Sequence, residues 1–161
     1  MKMYVLQVRS GYEEKIRDEL IEKGFHAIVP TEEMHIRSGG KWKLHERLIF
    51  SGYVFVECRL TDETYYEIRK IIGILRFLGN GKSQPLFPDE QAYIKILENG
   101  GKPIKASKIY TSPSGAKLIM SGFLRKYSDN VVWIDTRQRK AKIEVMLHGR
   151  KHIIKVPVVE V

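Results

Sequence analysis

The residues of this chain that could do chemistry are cations rather than nucleophiles or metal ligands. Arg137, Gln138, Arg139 and Lys140 stand in one unbroken run with Lys142 two places on, and Arg125, Lys126, Arg150 and Lys151 fall in other polar stretches of the last third. Guanidinium groups make bidentate hydrogen bonds to phosphate oxygens and guanine edges, and a glutamine amide can read a base edge, so this set suits a nucleic acid and above all a structured RNA. Tyr127 could stack on a base; Trp133, placed mid-strand, is expected in the core. No comparable set supports catalysis. The five histidines, His26, His35, His45, His148 and His152, show neither an HExxH motif nor paired ligand spacing, and His45 beside Glu46 has no nucleophile motif near it. Gly79-Asn80-Gly81-Lys82 lacks the length and the following Ser or Thr of a phosphate loop and reads as a turn. The one cysteine, Cys58, excludes an intramolecular disulfide and a cysteine-cluster zinc site, and its apolar surroundings make it a small, partly buried strand residue. No enzyme activity, cofactor or metal is expected.

The distribution of charge says more than its total. The formal charge over 161 residues is +9. Residues 1–103 hold 16 Lys and Arg against 15 Asp and Glu, whereas residues 104–161 hold 12 against 4, giving +1 and +8. A small module with that surplus attracts polyanions by counterion release. An anionic membrane is the competing partner, but no amphipathic basic helix or long apolar run accompanies the charge, and residues 1–7 are too short for a signal peptide, so a cytoplasmic protein without membrane attachment is expected.

Those cations need elements to hold them. Residues 3–9 are rich in strand formers and end at Ser10-Gly11; residues 12–23 read as a helix carrying Ile16, Leu20 and Ile21 at spacings of four and five, with Ser10 as N-cap, Glu13 and Glu14 at the positive end of its dipole, and Gly24 closing it. Residues 26–29 form a short strand ended by Pro30. The polar stretch 34–47, with Ser38-Gly39-Gly40 at its middle, is a hairpin or loop whose Lys41, Lys43 and Arg47 could touch phosphate or simply be solvated. Residues 48–56 are the most apolar run and read as a central strand with a sharp entry at Gly52. Thr61 and Asp62 cap a helix over 63–72, residues 74–78 make another strand, and Pro88-Asp89 opens a helix to about Leu97 that 99–103 breaks. Strands alternating with helices imply an α+β fold, a sheet covered by helices, over residues 1–103. A linker over 104–116 follows. Residues 117–120, 131–136, 142–147 and 152–159 are then β-branched strands separated by turns, a small all-β barrel over 117–161.

The ordered blocks Tyr4-Val5-Leu6-Gln7-Val8, Ser10-Gly11-Tyr12-Glu13, Val29-Pro30-Thr31-Glu32-Glu33, Phe50-Ser51-Gly52-Tyr53-Val54-Phe55-Val56 and Phe77-Leu78-Gly79, with Pro85 and Pro88 following, resemble the N-terminal domain of the NusG family. Gly122, the strand 131–135 and Arg139-Lys140-Ala141-Lys142-Ile143-Glu144-Val145 running to Gly149-Arg150 resemble that family's SH3-like KOW barrel. Residues 137–151 look most like the LoaP antiterminator subgroup. The chain departs from the pattern at Ser51, where a proline is usual, at Lys70-Ile71-Ile72-Gly73, where pause-promoting relatives carry a polar pair before Pro-Gly, and at Asp129, where a barrel glycine is expected and Asp can replace it because it tolerates left-handed backbone.

The resemblance implies a monomeric elongation or antitermination factor whose N-terminal domain grips the clamp helices of the large RNA polymerase subunit through an apolar face, while the barrel binds a nascent RNA hairpin. It leaves non-template DNA open as a further partner. Ile49, Phe50, Tyr53, Phe55, Ile71, Ile74 and Phe77 exceed what one inner sheet face needs, so some must point outward; each alone belongs in a core more often than on a surface, and Phe50 and Tyr53 are the best members of the exposed set. Two other readings stay open: a general NusG factor whose barrel meets a ribosomal protein or the Rho terminator, and a KOW-type RNA-binding structural protein.

Overall fold

In chain order the elements are β1 (Lys2–Val8), α1 (Glu13–Glu22), β2 (His26–Ile28), β3 (Thr31–Ser38), β4 (Lys41–Leu48), β5 (Tyr53–Cys58), α2 (Asp62–Arg69), β6 (Ile74–Phe77), α3 (Pro88–Glu98), β7 (Ser107–Thr111), β8 (Lys117–Ser121), the helical turn α4 (Phe123–Lys126), β9 (Val131–Asp135), β10 (Lys140–Leu147) and β11 (Arg150–Glu160). They come from a computed structural model that describes residues 1–79 and 83–161. The turn expected over residues 79–82 therefore falls, at 80–82, outside the described residues. The chain divides into two compact units, one of residues 1–29, 50–93 and 147–149, the other of residues 30–49, 94–146 and 150–161.

The first unit carries a four-stranded sheet in the order β2-β5-β1-β6, with β5 antiparallel to β1 and β2, and β1 antiparallel to β6. Met3, Tyr4, Val5 and Leu6 are consecutive buried residues, so both faces of β1 are covered. Ile16 and Leu20, one helical turn apart, are fully buried from α1, and Ile68 from α2. Thr61 caps α2 as expected, its Oγ1 accepting the Thr64 N–H at 3.1 Å. The start of α1 differs from expectation. Its N-cap is Tyr12, without a side-chain hydrogen bond, and not Ser10. Glu13, read as a dipole-facing surface residue, is buried: its two oxygens accept the N–H groups of Gly11 at 2.7 Å and Gly52 at 2.8 Å. The carboxylate thereby ties the loop before α1 to the corner before β5. That corner is why the apolar run 48–56 is not one strand: Gly52 lies at φ 83, and β5 starts only at Tyr53. The buried carboxylate of Glu90 serves the same unit, accepting N–H groups from Phe87, His148 and Gly149.

The second unit holds a five-stranded sheet in the order β8-β7-β11-β10-β9 and the two-stranded β3–β4 hairpin. The expected tail strands appear as β8 to β11. In β10, Ala141, Ile143, Val145 and Leu147 are buried while the intervening residues are half-buried, the period-2 pattern of a strand with one face on a core. The stretch read as a linker is not plain linker. It contains β7, antiparallel to β8 and parallel to β11, and Ile104 before it exchanges backbone hydrogen bonds with Thr31 and Glu33 of β3. Gly122 sits at φ 95, where a Cβ would lie 2.7 Å from the Ser107 Cα; the bare glycine lets Ser107 Oγ accept the Leu124 N–H at 3.1 Å. Asp129 lies in a 3-10 turn and is not left-handed, whereas Arg139 is, at φ 56. Trp133 is exposed rather than core, with the Lys142 ammonium 5.1 Å from its ring centroid. Cys58 is buried and unpaired.

Candidate nucleic-acid interface

The basic run forms the turn between β9 and β10. Asp135 Oδ1 accepts the N–H groups of Arg137 at 2.9 Å and Gln138 at 3.2 Å, which folds the chain back on itself, and Arg139 then takes the left-handed conformation that returns it to β10. The side chains of Arg137 and Gln138 are left exposed. Arg139 is half-buried because its guanidinium stands 4.4 Å from the ring centroid of Trp42, on the β4 side of the hairpin. Arg37, the cross-strand partner of Trp42, places its own guanidinium 6.0 Å from the same ring. Such pairs contribute about 0.5–1 kcal/mol at exposed sites. They bring a polar hairpin and a basic turn, nearly a hundred residues apart in sequence, into one cationic surface.

Beneath that surface is a buried charge cluster. Glu32 is 1% exposed, and its Oε1 accepts from Arg47 Nη2 at 2.6 Å. Burial pushes its carboxyl up to about 7, against the opposing pull of Arg47, Lys140 and Lys155. Burial, with Arg47 and Lys155 nearby, holds the Lys140 ammonium below the usual lysine range while Glu32 pulls the other way. Burial and Arg139 likewise hold the His35 imidazole below its ordinary value, with Glu33 opposing. Arg47 and Lys140 are therefore occupied in holding a carboxylate, and of the hairpin cations expected to meet phosphate only Lys41 and Lys43 stand free in solvent.

The nine expected RNA contacts do not form one surface. Arg137, Gln138, Arg139 and Lys140 are together. Arg125 and Lys126 are on α4, where Arg125 donates to the Met120 carbonyl at 2.9 Å and lines a separate hollow with Lys117, Leu118, Ile119 and Ser128. Lys142 is committed to Trp133. Arg150 and Lys151 begin β11 beyond the far end of β10, roughly 23 Å from the Arg139 turn at about 3.3 Å per residue, and Lys151 pairs with Glu144 at 3.5 Å. Turns at opposite ends of a hairpin cannot gather on one side, so these cations do not make a single patch.

The expected apolar face fares differently again. Ile49, Phe50, Phe55, Ile71, Ile74 and Phe77 are buried, and only Tyr53 is half-exposed. Phe50 packs edge-to-face on Phe55 with centroids 5.2 Å apart, and Phe77 stacks on Tyr65 at the same spacing. The large apolar groups left in solvent on this part of the first unit are Tyr66 at 64%, Ile72 at 78% and Leu75 at 48% exposed, all within ten residues on α2, β6 and their connection. Sequence reasoning missed them because it credited the richest apolar run, and that run supplies the core. Among the described residues no cluster of His, Cys, Asp and Glu could hold a metal, and no helix is long and apolar enough to cross a membrane.

Comparison with known proteins places this architecture. The family model described as transcription termination factor nusG matches residues 1–96. The chain belongs to the NusG family. It is 29% identical to the transcription termination/antitermination protein NusG of Bacillus subtilis, with 92% of this chain and 90% of that protein covered, and 29% identical to that of Staphylococcus aureus, covering 96% and 91%. Its fold matches the solved structure of Thermotoga maritima NusG with a TM-score of 0.55 at 23% identity, covering 98% of this chain and 93% of that one. The family match includes the β3–β4 hairpin, yet in this NusG-family chain that hairpin clusters with the tail strands. Cutting the chain by its units, residues 30–49, 94–146 and 150–161 hold 18 Lys and Arg against 8 Asp and Glu, and the remainder 10 against 11, or +10 and −1.

Proposed function

We propose that this NusG-family chain is an elongation and antitermination factor that binds RNA polymerase through its first unit and nascent RNA, a leader hairpin, through its basic second unit, whose five-stranded sheet corresponds to the KOW barrel. The observation that carries the reading is the segregation of charge, +10 in one unit and −1 in the other. A surplus of that size on a small unit favours polyanions through counterion release. The polymerase face is assigned to the exposed Tyr66, Ile72 and Leu75, set on the clamp helices of the large subunit. Two modest sites on one chain raise the effective concentration of each for the other, so a weak RNA contact decides which polymerase carries the factor. It acts as a monomer in the bacterial cytoplasm.

The full chain with Arg137, Arg139 and Lys140 replaced by alanine tests the division. RNA affinity should drop by about thirtyfold or more, and the residual binding should depend less steeply on salt, while polymerase retained in a pull-down stays the same. Loss of both together, or a wild-type RNA affinity that is flat between low and moderate salt, refutes it. Retained polymerase with no RNA binding at any salt points instead to a general NusG factor whose second unit meets a protein, and RNA binding without polymerase to a KOW-type structural protein.

A further inference from the structure

The β3–β4 hairpin and the β9–β10 turn, both in the second unit, enclose a hollow of about 510 Å³ lined by Arg37, Trp42, Asp135, Arg137 and Gln138. We propose that this hollow takes one unpaired guanine of an RNA strand, its face on Trp42 and its Watson–Crick edge on Asp135. The inference rests on the reading that the basic unit meets RNA, and it adds which nucleotide is held and by what. Single-stranded bases are held by stacking on aromatic faces beside cations that track the backbone. Trp42 supplies such a face: it is 37% exposed and lines the hollow, while Arg139, which packs on the ring, is not among the lining residues. Arg37, whose guanidinium stands 6.0 Å from the Trp42 centroid at the edge of cation–π range, and Arg137 form no ion pair among the described residues, so the two can turn to phosphate or to the O6 and N7 of the base. The volume falls within the roughly 300–1,000 Å³ of small-ligand sites.

Asp135 sets the choice of base. Its Oδ1 is used by the turn, and its other oxygen accepts no described hydrogen bond. A carboxylate is an acceptor only. Guanine alone among the four bases presents adjacent donors, N1–H and the N2 amino group, on its Watson–Crick edge, and the one free carboxylate oxygen can accept both of them at once. Adenine and cytosine offer one donor beside an acceptor, and uracil offers one between two acceptors that would face the carboxylate.

The test uses the full chain and labelled uridine hexanucleotides carrying one central guanosine, adenosine or cytidine, or none, with binding read by anisotropy at low ionic strength. The guanosine hexamer should bind about tenfold more tightly than the others, and the indole resonance that Trp42→Phe deletes should shift when it binds. Trp42→Ala should remove the preference and Trp42→Phe keep most of it. Asp135→Asn, whose Oδ1 can still accept the two turn N–H groups, should also lose the preference while holding the turn. Equal affinity for all four hexamers with an unmoved indole resonance overturns the pocket while leaving RNA binding by the unit intact. A matching deoxyribonucleotide that binds equally well assigns the hollow to a DNA strand and overturns the RNA assignment. Failure of every hexamer to bind a chain that still binds a leader hairpin overturns the pocket alone, and failure of both removes the underlying reading along with it.

Discussion

Each unit buries a glutamate near the start of an element, and the two are used in opposite ways. Glu13 in the first unit faces only backbone N–H groups, those of Gly11 and Gly52, and its charge is spent on closing a corner. Glu32 in the second unit faces cations: Arg47 directly, with Lys140 and Lys155 near enough to bias its ionisation. The first unit has thus consumed its buried charge in building the fold. The second seats its buried carboxyl among cations, and the cations outside that cluster, Arg37, Lys41, Lys43 and Arg137, stand with the Gln138 amide available to a ligand. Separating stability from binding should therefore be possible in both directions.

The largest effect is expected at Glu13. Glu13→Ala leaves two part-buried N–H groups without their acceptor and opens a void where the buried side chain was, which should cost about 3–4 kcal/mol of stability, while RNA affinity at a temperature where the protein is still folded stays unchanged. Thermal melts followed by far-UV circular dichroism measure the first quantity and RNA anisotropy the second; a parallel loss of RNA affinity would break the contrast between the units. Both tryptophans, Trp42 and Trp133, are in the second unit, so indole fluorescence follows that unit by itself.

Glu32 should make the second unit sensitive to pH. Its folded carboxyl keeps its proton up to about 7, against 4.5 unfolded, so between those values the folded state binds the extra proton. Stability contributed by that proton is complete below about 4.5, declines as pH rises to about 7, and is flat above, a change of up to about 3 kcal/mol. His35 works in the opposite sense, because its folded value is lowered: stability falls as pH drops below its ordinary 6.5. Comparing the full chain with Glu32→Gln isolates the carboxyl. The indole-monitored melting temperature of the unaltered chain should fall relative to that of Glu32→Gln between pH 5 and pH 8; a difference that does not vary with pH would show Glu32 ionised throughout, as a conventional partner of Arg47.

What the sequence disclosed follows the range of the interactions involved. The tail strands β8 to β11 and the Thr61 cap depend on period-2 alternation and on a hydroxyl three residues before an N–H, both of which are written locally. The strand β7 depends on pairing with β11 some fifty residues later, and residues 107–111 offer no alternation strong enough to announce it. The sequence leaves Lys41, Lys43 and Arg47 of the hairpin open to phosphate or to solvent, but Arg47 lies opposite Glu32 in the ladder and is taken up there. Trp42 was passed over, although a lone tryptophan in an otherwise polar hairpin was the available clue. Its partner Arg139 is almost a hundred residues away, and no local pattern joins them. The apolar set failed for another reason. Counting side chains showed a surplus over one sheet face, but β1 and β5 are covered on both faces, so the surplus went inward and the smaller group at Tyr66, Ile72 and Leu75 remained outside.

The smallest effect on stability is also the sharpest test, because it should change binding while leaving stability almost unmoved. Arg139 holds φ 56, a left-handed conformation that costs a side chain with a Cβ and costs glycine almost nothing. Evolution of a fold for stability alone would place glycine or asparagine there. An arginine in that position instead carries its guanidinium onto Trp42, so the strain is explained by what the side chain does at the surface. Arg139→Gly should leave the indole-monitored stability within about 0.5 kcal/mol of the unaltered chain, relief of the left-handed strain offsetting the lost stacking, and should weaken RNA binding severalfold. Arg139→Lys, which keeps the charge and the strain but loses the planar group, should leave stability near that of the unaltered chain and weaken RNA binding by less. If Arg139→Gly were both less stable and fully competent for RNA, the turn would be a structural joint between hairpin and sheet, and the cationic surface would have to be sought among Arg125, Lys126, Arg150 and Lys151 instead.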